Sequence, residues 1–135
     1  MDGLSKEGTS LPIALKREYF IKQFPELSVN EGLDRIQGDT HFYCEMLVEF
    51  RHISQNKLEE VECLFHQSKF EDSMFLLHTL KGILQNIGAK DMVQLALTLE
   101  VQLEDGYMDN SLFHDFKKQM EYLQNKIGIM ERELQ

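Results

Sequence analysis

Phe70-Glu71-Asp72-Ser73-Met74-Phe75-Leu76-Leu77-His78-Thr79-Leu80-Lys81-Gly82-Ile83-Leu84-Gln85-Asn86-Ile87-Gly88 is the stretch whose pattern decides the fold. Set on a wheel at about 100° per residue, Leu76, Leu77, Leu80, Ile83, Leu84 and Ile87 fall within an arc of roughly 120°. A single apolar arc of that width predicts a helix with one face in a core. Ser68-Lys69-Phe70-Glu71 has capping-box spacing and predicts its start. Gly88 follows the last apolar residue and predicts its stop.

The pattern repeats on both sides. Upstream, Tyr43, Leu47, Phe50, Ser54, Leu58, Val61 and Phe65 recur at steps of three and four and predict one long helix, with Gly38-Asp39-Thr40 as a break and N-cap before it. Downstream, Met92, Leu95, Ala96, Leu99 and Leu103 mark a third helix that Asp105-Gly106 ends. Asp109-Asn110-Ser111 offers caps for a fourth, whose stripe is Leu112, Phe116, Met120, Leu123, Ile127, Met130 and Leu134. Near the N-terminus, Leu11 to Phe24 predicts a short helix stopped by Pro25, and Ser28 to Glu31 has a further capping-box spacing. Residues 1–11 are polar and Gly/Ser-containing and read as a flexible tail or linker. No segment alternates with a period of two, so no strand is expected. The expected fold is all-α: an antiparallel four-helix bundle with short additional N-terminal helices, over residues 12–135.

Composition narrows the function classes. The chain has 135 residues, is 42% hydrophobic and carries a formal net charge of -9. That acidity disfavours nucleic acid and anionic membranes as partners. No run approaches the roughly 18 apolar residues of a membrane span, so no membrane insertion is expected. The first residues lack the apolar stretch of a signal peptide, and two Cys make no disulfide framework. The expectation is a cytoplasmic monomer.

On the wheel, His78 lies about 160° from the middle of the apolar arc. Lys81, Gly82 and Gln85 follow it at +3, +4 and +7, on the same outward side. A surface His is commonly only a surface His. Gly82 argues for more. A Gly within a helix costs about 1 kcal/mol relative to Ala, and no turn is needed there. It removes a side chain beside an exposed imidazole, which leaves room for something to approach closely. Neutral imidazole is a nucleophile, Lys81 could screen a phosphoryl group placed on it, and Gln85 could add a hydrogen bond. Met74 and Phe75 flank this face as an apolar, partner-binding rim, although half-packing against a neighbour is an equally good reading of Phe75.

His78-Thr79-Leu80-Lys81-Gly82 with Gly88 ten residues after the His resembles the signature of histidine-containing phosphotransfer (HPt) domains of bacterial-type two-component phosphorelays. The lead-in Phe24-Pro25-Glu26-Leu27, then Gly38-Asp39, Tyr43, Leu47 and Phe50, resembles the C-terminal HPt domains of hybrid sensor histidine kinases. The resemblance implies a phosphocarrier. His78 would accept a phosphoryl group from a receiver-domain aspartate and pass it to another, Lys81 would stabilise it, and Gly82 would admit the partner. The implied partners are receiver domains and a sensor histidine kinase. No cofactor is implied for this domain, and Mg²⁺ is expected in the receiver. Where the family usually has small residues after the Gly, this chain has Ile83, Leu84, Gln85 and Asn86.

Other chemistry finds little footing. No Gly-x-Gly-x-x-Gly and no Gly-x-x-x-x-Gly-Lys-Ser/Thr occurs, so autonomous kinase activity is not expected. His41 with Cys44, and Cys63 with His66, have ligand-like spacing. On one helix the two pairs would stand roughly 28 Å apart at about 1.5 Å per residue, too far for one tetrahedral metal. No metal site is expected. The alternative function is a helical docking module that binds a receiver or another signalling partner without phosphoryl transfer.

Overall fold

The computed structural model describes residues 15–134. Among them the chain is all α, with helices α1 (Arg17–Gln23), α2 (Val29–Asp34), α3 (Thr40–Ser54), α4 (Lys57–His66), α5 (Phe70–Ile87), α6 (Lys90–Glu104) and α7 (Asn110–Glu133). The expected tail, residues 1–11, and the first part of the helix expected over 11–24 lie outside the described residues.

α5 packs along α6 on one side and α4 on the other. α7 packs against α3 and α6 and completes the bundle. Leu47, Phe50, Leu77, Leu80, Leu84, Leu99, Phe116, Met120 and Leu123 meet in its core, each almost fully removed from water. A buried side chain of this size contributes roughly 1.5–3 kcal/mol, which is why the apolar stripes dictate the packing. α1 and α2 close one end. Phe20 meets Tyr43 edge-on at 5.3 Å, and Phe24 and Leu33 are fully buried beside them.

The upstream stripe is not one helix. α3 ends at Ser54, and Asn56 takes a left-handed conformation with φ 67° before α4 begins. Asn tolerates that conformation better than most residues. The Ser54 hydroxyl donates to the Arg51 carbonyl at 3.5 Å and accepts from Gln124 Nε2 at 2.8 Å, so polar groups hold the break from inside the bundle. The apolar spacing passes straight through the break, which is why the sequence reads as continuous. His41 and Cys44 therefore sit on α3, while Cys63 and His66 sit on α4. Cys44 is buried and Cys63 exposed. Burial, helped by the Glu45 and Glu131 charges, pushes the Cys44 thiol up to about 11.

Two expected capping boxes do not form. Ser68 is left-handed, with φ 62°. Its N–H donates to the Phe65 carbonyl, and the Lys69 N–H donates to Leu64. This pair of bonds is a helix stop, so Ser68 terminates α4 instead of capping α5. At Ser28 the side chain makes no cap bond. Glu31 turns instead to Lys90, with 2.6 Å between oxygen and ammonium. Asp39 and Asp109 do cap α3 and α7 through their carboxylates.

The core face of α5 is shifted slightly from the expected arc. Ser73, Leu77, Leu80, Leu84 and Ile87 are buried, whereas Leu76 and Ile83 are half-buried at the edges. Ser73 is accommodated because its hydroxyl donates to the Val61 carbonyl at 2.9 Å. On α7, Phe113 is buried and Leu112 half-buried.

The α5–α6 turn anchors the molecule. Gly88 has φ 84°, and a Cβ there would stand 2.6 Å from the Ser28 carbonyl oxygen. The Ser28 N–H donates to the Gly88 carbonyl at 2.8 Å, and the Tyr43 hydroxyl donates to the Ile87 carbonyl at 2.7 Å. Left-handed backbone costs a non-Gly residue about 1–2 kcal/mol, before any clash. Gly88→Ala should therefore lower the unfolding free energy by at least about 2 kcal/mol in urea titration. An unchanged midpoint would mean that the turn is not held as described.

Candidate functional site

The turn at Gly88 sets the register of α5 against α6. Ala89 lies eleven residues from His78 in one direction and eleven from Glu100 in the other. In an antiparallel helical hairpin, residues equidistant from the turn stand at the same height. On α6, Met92, Ala96, Leu99 and Leu103 are buried, and Glu100 sits beside this stripe on the edge facing α5.

Glu100 consequently meets two residues of α5. Its Oε2 is 2.9 Å from His78 Nδ1, and its Oε1 is 2.7 Å from Lys81 Nζ. The Lys81 contact is ionic only, since Oε1 is buried and no hydrogen bond of good geometry reaches it. The Glu100 side chain is 12% exposed and that of Lys81 14%. Lys81 is thus not spread on the open face with His78 as the wheel suggests. It lies in the α5–α6 seam, and its charge is answered by Glu100. An ion pair this deep contributes modest net stability, but removing one member strands the other, which is strongly destabilising.

The His78 side chain remains 63% exposed. A carboxylate can only accept, so in the neutral ring a hydrogen bond to Nδ1 keeps the proton on that nitrogen and leaves Nε2 with its lone pair. The imidazole is therefore oriented by α6, with its outer nitrogen free.

Gly82 stands one turn beyond His78. A Cβ built there meets nothing within 4 Å. No packing among the described residues needs the glycine, which lowers the helix propensity at this position. Gln85 is exposed; its backbone carbonyl accepts from the Arg35 guanidinium, and its side chain makes no hydrogen bond to the imidazole. Met74 is half-buried against the core, while Phe75 is 72% exposed. Both line a groove with Glu71, Asp72, His78 and Glu100.

A family model described as Hpt domain matches residues 45–126, well over half of the chain. The chain belongs to the Hpt domain family. The match begins within α3, ends within α7 and contains His78, Lys81, Gly82 and Glu100. Hpt domains serve histidine phosphotransfer in phosphorelays as phosphocarriers rather than kinases, and they interact with receiver domains and kinases. The comparisons with curated proteins and with solved structures gave no match. In this Hpt domain no described helix is long and apolar enough to cross a membrane. No group of three or more His, Cys, Asp or Glu among the described residues is arranged to hold a metal ion.

Sequence reasoning missed Glu100. It sits in a helix with two other acids, Asp91 and Glu104, and no local pattern marks it. The signal was the distance to the turn, since counting outward from Ala89 pairs it with His78. The open position of Gly82 in this Hpt domain gives a clean test. Gly82→Ala should raise the unfolding free energy by about 1 kcal/mol, the ordinary helix-propensity gain. A loss of stability in urea titration would show that the position has a packing role after all.

Proposed function

We infer that this Hpt domain carries a phosphoryl group on His78 Nε2, taking it from one receiver-domain aspartyl phosphate and giving it to another receiver aspartate. The observation that carries the reading is the Glu100 contact to Nδ1, which leaves the opposite ring nitrogen as an exposed nucleophile. The Nε2 lone pair attacks phosphorus as the bond from phosphorus to the aspartyl oxygen breaks. The aspartate leaves as carboxylate with that electron pair. The ring, now bonded to phosphorus and still protonated at Nδ1, carries positive charge, and Glu100 lies against it. Transfer onward reverses these bonds and returns a neutral imidazole.

Glu100 acts here as a positioning residue. It fixes the tautomer and the ring orientation, and its charge complements the cation formed on the ring. Lys81 holds Glu100 and lies one turn from His78, so it can move toward the phosphoryl oxygens once they arrive. Gly82 leaves the gap through which a receiver loop reaches Nε2. The receiver supplies Mg²⁺ and most of the catalytic groups; this chain supplies a rigid, oriented nucleophile.

Incubation with a phosphorylated receiver should place an acid-labile, base-stable label on this chain, and His78→Gln should abolish it. Label that survives His78→Gln would sink the assignment. Gly82→Gln should slow transfer at least about tenfold with the fold intact by circular dichroism, because bulk at the gap displaces the reacting atoms. Transfer at the unmodified rate would count against close approach at this position.

A further inference from the structure

The outward ridge of α5 runs Glu71, Phe75, His78, Gly82, at steps of four, three and four. Phe75 is the most exposed large hydrophobic residue among the described residues. Across the seam, Leu97 and Val101 are exposed on α6, on the same flank as Glu100. Burying a side chain like Phe75 is worth roughly 1.5–3 kcal/mol, which the folded chain leaves unused. An aromatic residue standing free beside a reacting group has the character of an interface anchor.

A second, independent observation concerns charge. Glu71 and Asp72 line the same groove as Phe75 and His78. Both are exposed, and neither is ion-paired within the described residues. Their place in the first turn of α5 suits the helix dipole, but that interaction leaves their outer faces unpaired. Of the two lysines near this groove, Lys81 is sunk in the seam and answered by Glu100, while Lys69 stands exposed at the N-cap of α5 and does not line the groove. The face offered around Phe75 is therefore apolar at its centre and negative at its edge.

We propose that the N-terminal half of α5 is a docking surface for a receiver domain that presents an apolar recess to Phe75 and basic side chains to Glu71 and Asp72. This rests on the phosphotransfer reading of His78. The two carboxylates lie six and seven residues from His78, or about 9–10 Å along the axis. That is near the Debye length of about 8 Å at physiological salt. At this range they act on encounter and orientation and leave the bond-making step alone. Because the acids stand on one side of His78 only, they also fix which way round the receiver sits. A receiver with an acidic or neutral rim is disfavoured, which makes this edge a determinant of partner choice.

The test uses the full chain and the receiver that labels it fastest in a panel of receivers from the same genome, each loaded with acetyl phosphate and Mg²⁺. E71Q/D72N should lower kcat/KM for transfer about three- to tenfold at low salt and converge with the unmodified chain near 1 M salt, where the Debye length is about 3 Å. E71K/D72K should lower it further and flatten or invert the salt dependence. Phe75→Ala should lower it about tenfold at every salt concentration. Equal rates and equal salt slopes for the charge variants would overturn the proposal. So would a deficit that stays undiminished at high salt, since it would not be electrostatic docking. In either case a normally labelled unmodified chain leaves the phosphotransfer reading standing. If no receiver labels His78 in the unmodified chain, that reading fails, and the docking proposal falls with it.

Discussion

The left-handed turn at Gly88 is the constraint on which the rest depends. Its positive φ and its approach to the Ser28 carbonyl admit no side chain. The turn joins α5 to α6 in one register only, and that register brings Glu100 to the height of His78 and Lys81. Slipping α6 by one residue would rotate Glu100 by about 100° out of the seam. The same turn is tied to the start of α2 through Ser28 and to α3 through Tyr43, so a short helix at the end of the bundle also holds this turn in place.

The charges around His78 follow from this register. The wheel assigns Lys81 to the open face as a free cation for a phosphoryl group. In the folded chain it neutralises a mostly buried carboxylate, and that carboxylate holds the imidazole. The cation thus contributes first by fixing Glu100. A phosphoryl group would enter a site where one negative and one positive side chain already balance. The overall charge of -9 then appears at the surface as unpaired acids, including the two at the start of α5.

Local features were legible in the sequence and long-range ones were not. The stop of α5 at Gly88, the end of α6 near Gly106 and the Asp109 cap follow from residues within a turn of one another. The outward placement of His78 follows from period alone. The break at Asn56 escaped because it preserves the apolar spacing on either side. Ser68 was misread because one sequence can either start a helix or stop one, and the backbone decides by closing its bonds to Leu64 and Phe65. Glu100 escaped because its role exists only across the seam. Lys81 was misplaced because it borders both the open ridge and the α6 contact, and a wheel carries no neighbour.

The oriented imidazole is the central claim, and ¹⁵N-histidine NMR of the phosphorylated chain tests it most directly. Phosphorus should be bonded to Nε2 of His78, with Nδ1 still carrying its proton, while His41, His52, His66 and His114 stay unmodified. Phosphorus on Nδ1, or on any of the other four histidines, would contradict it.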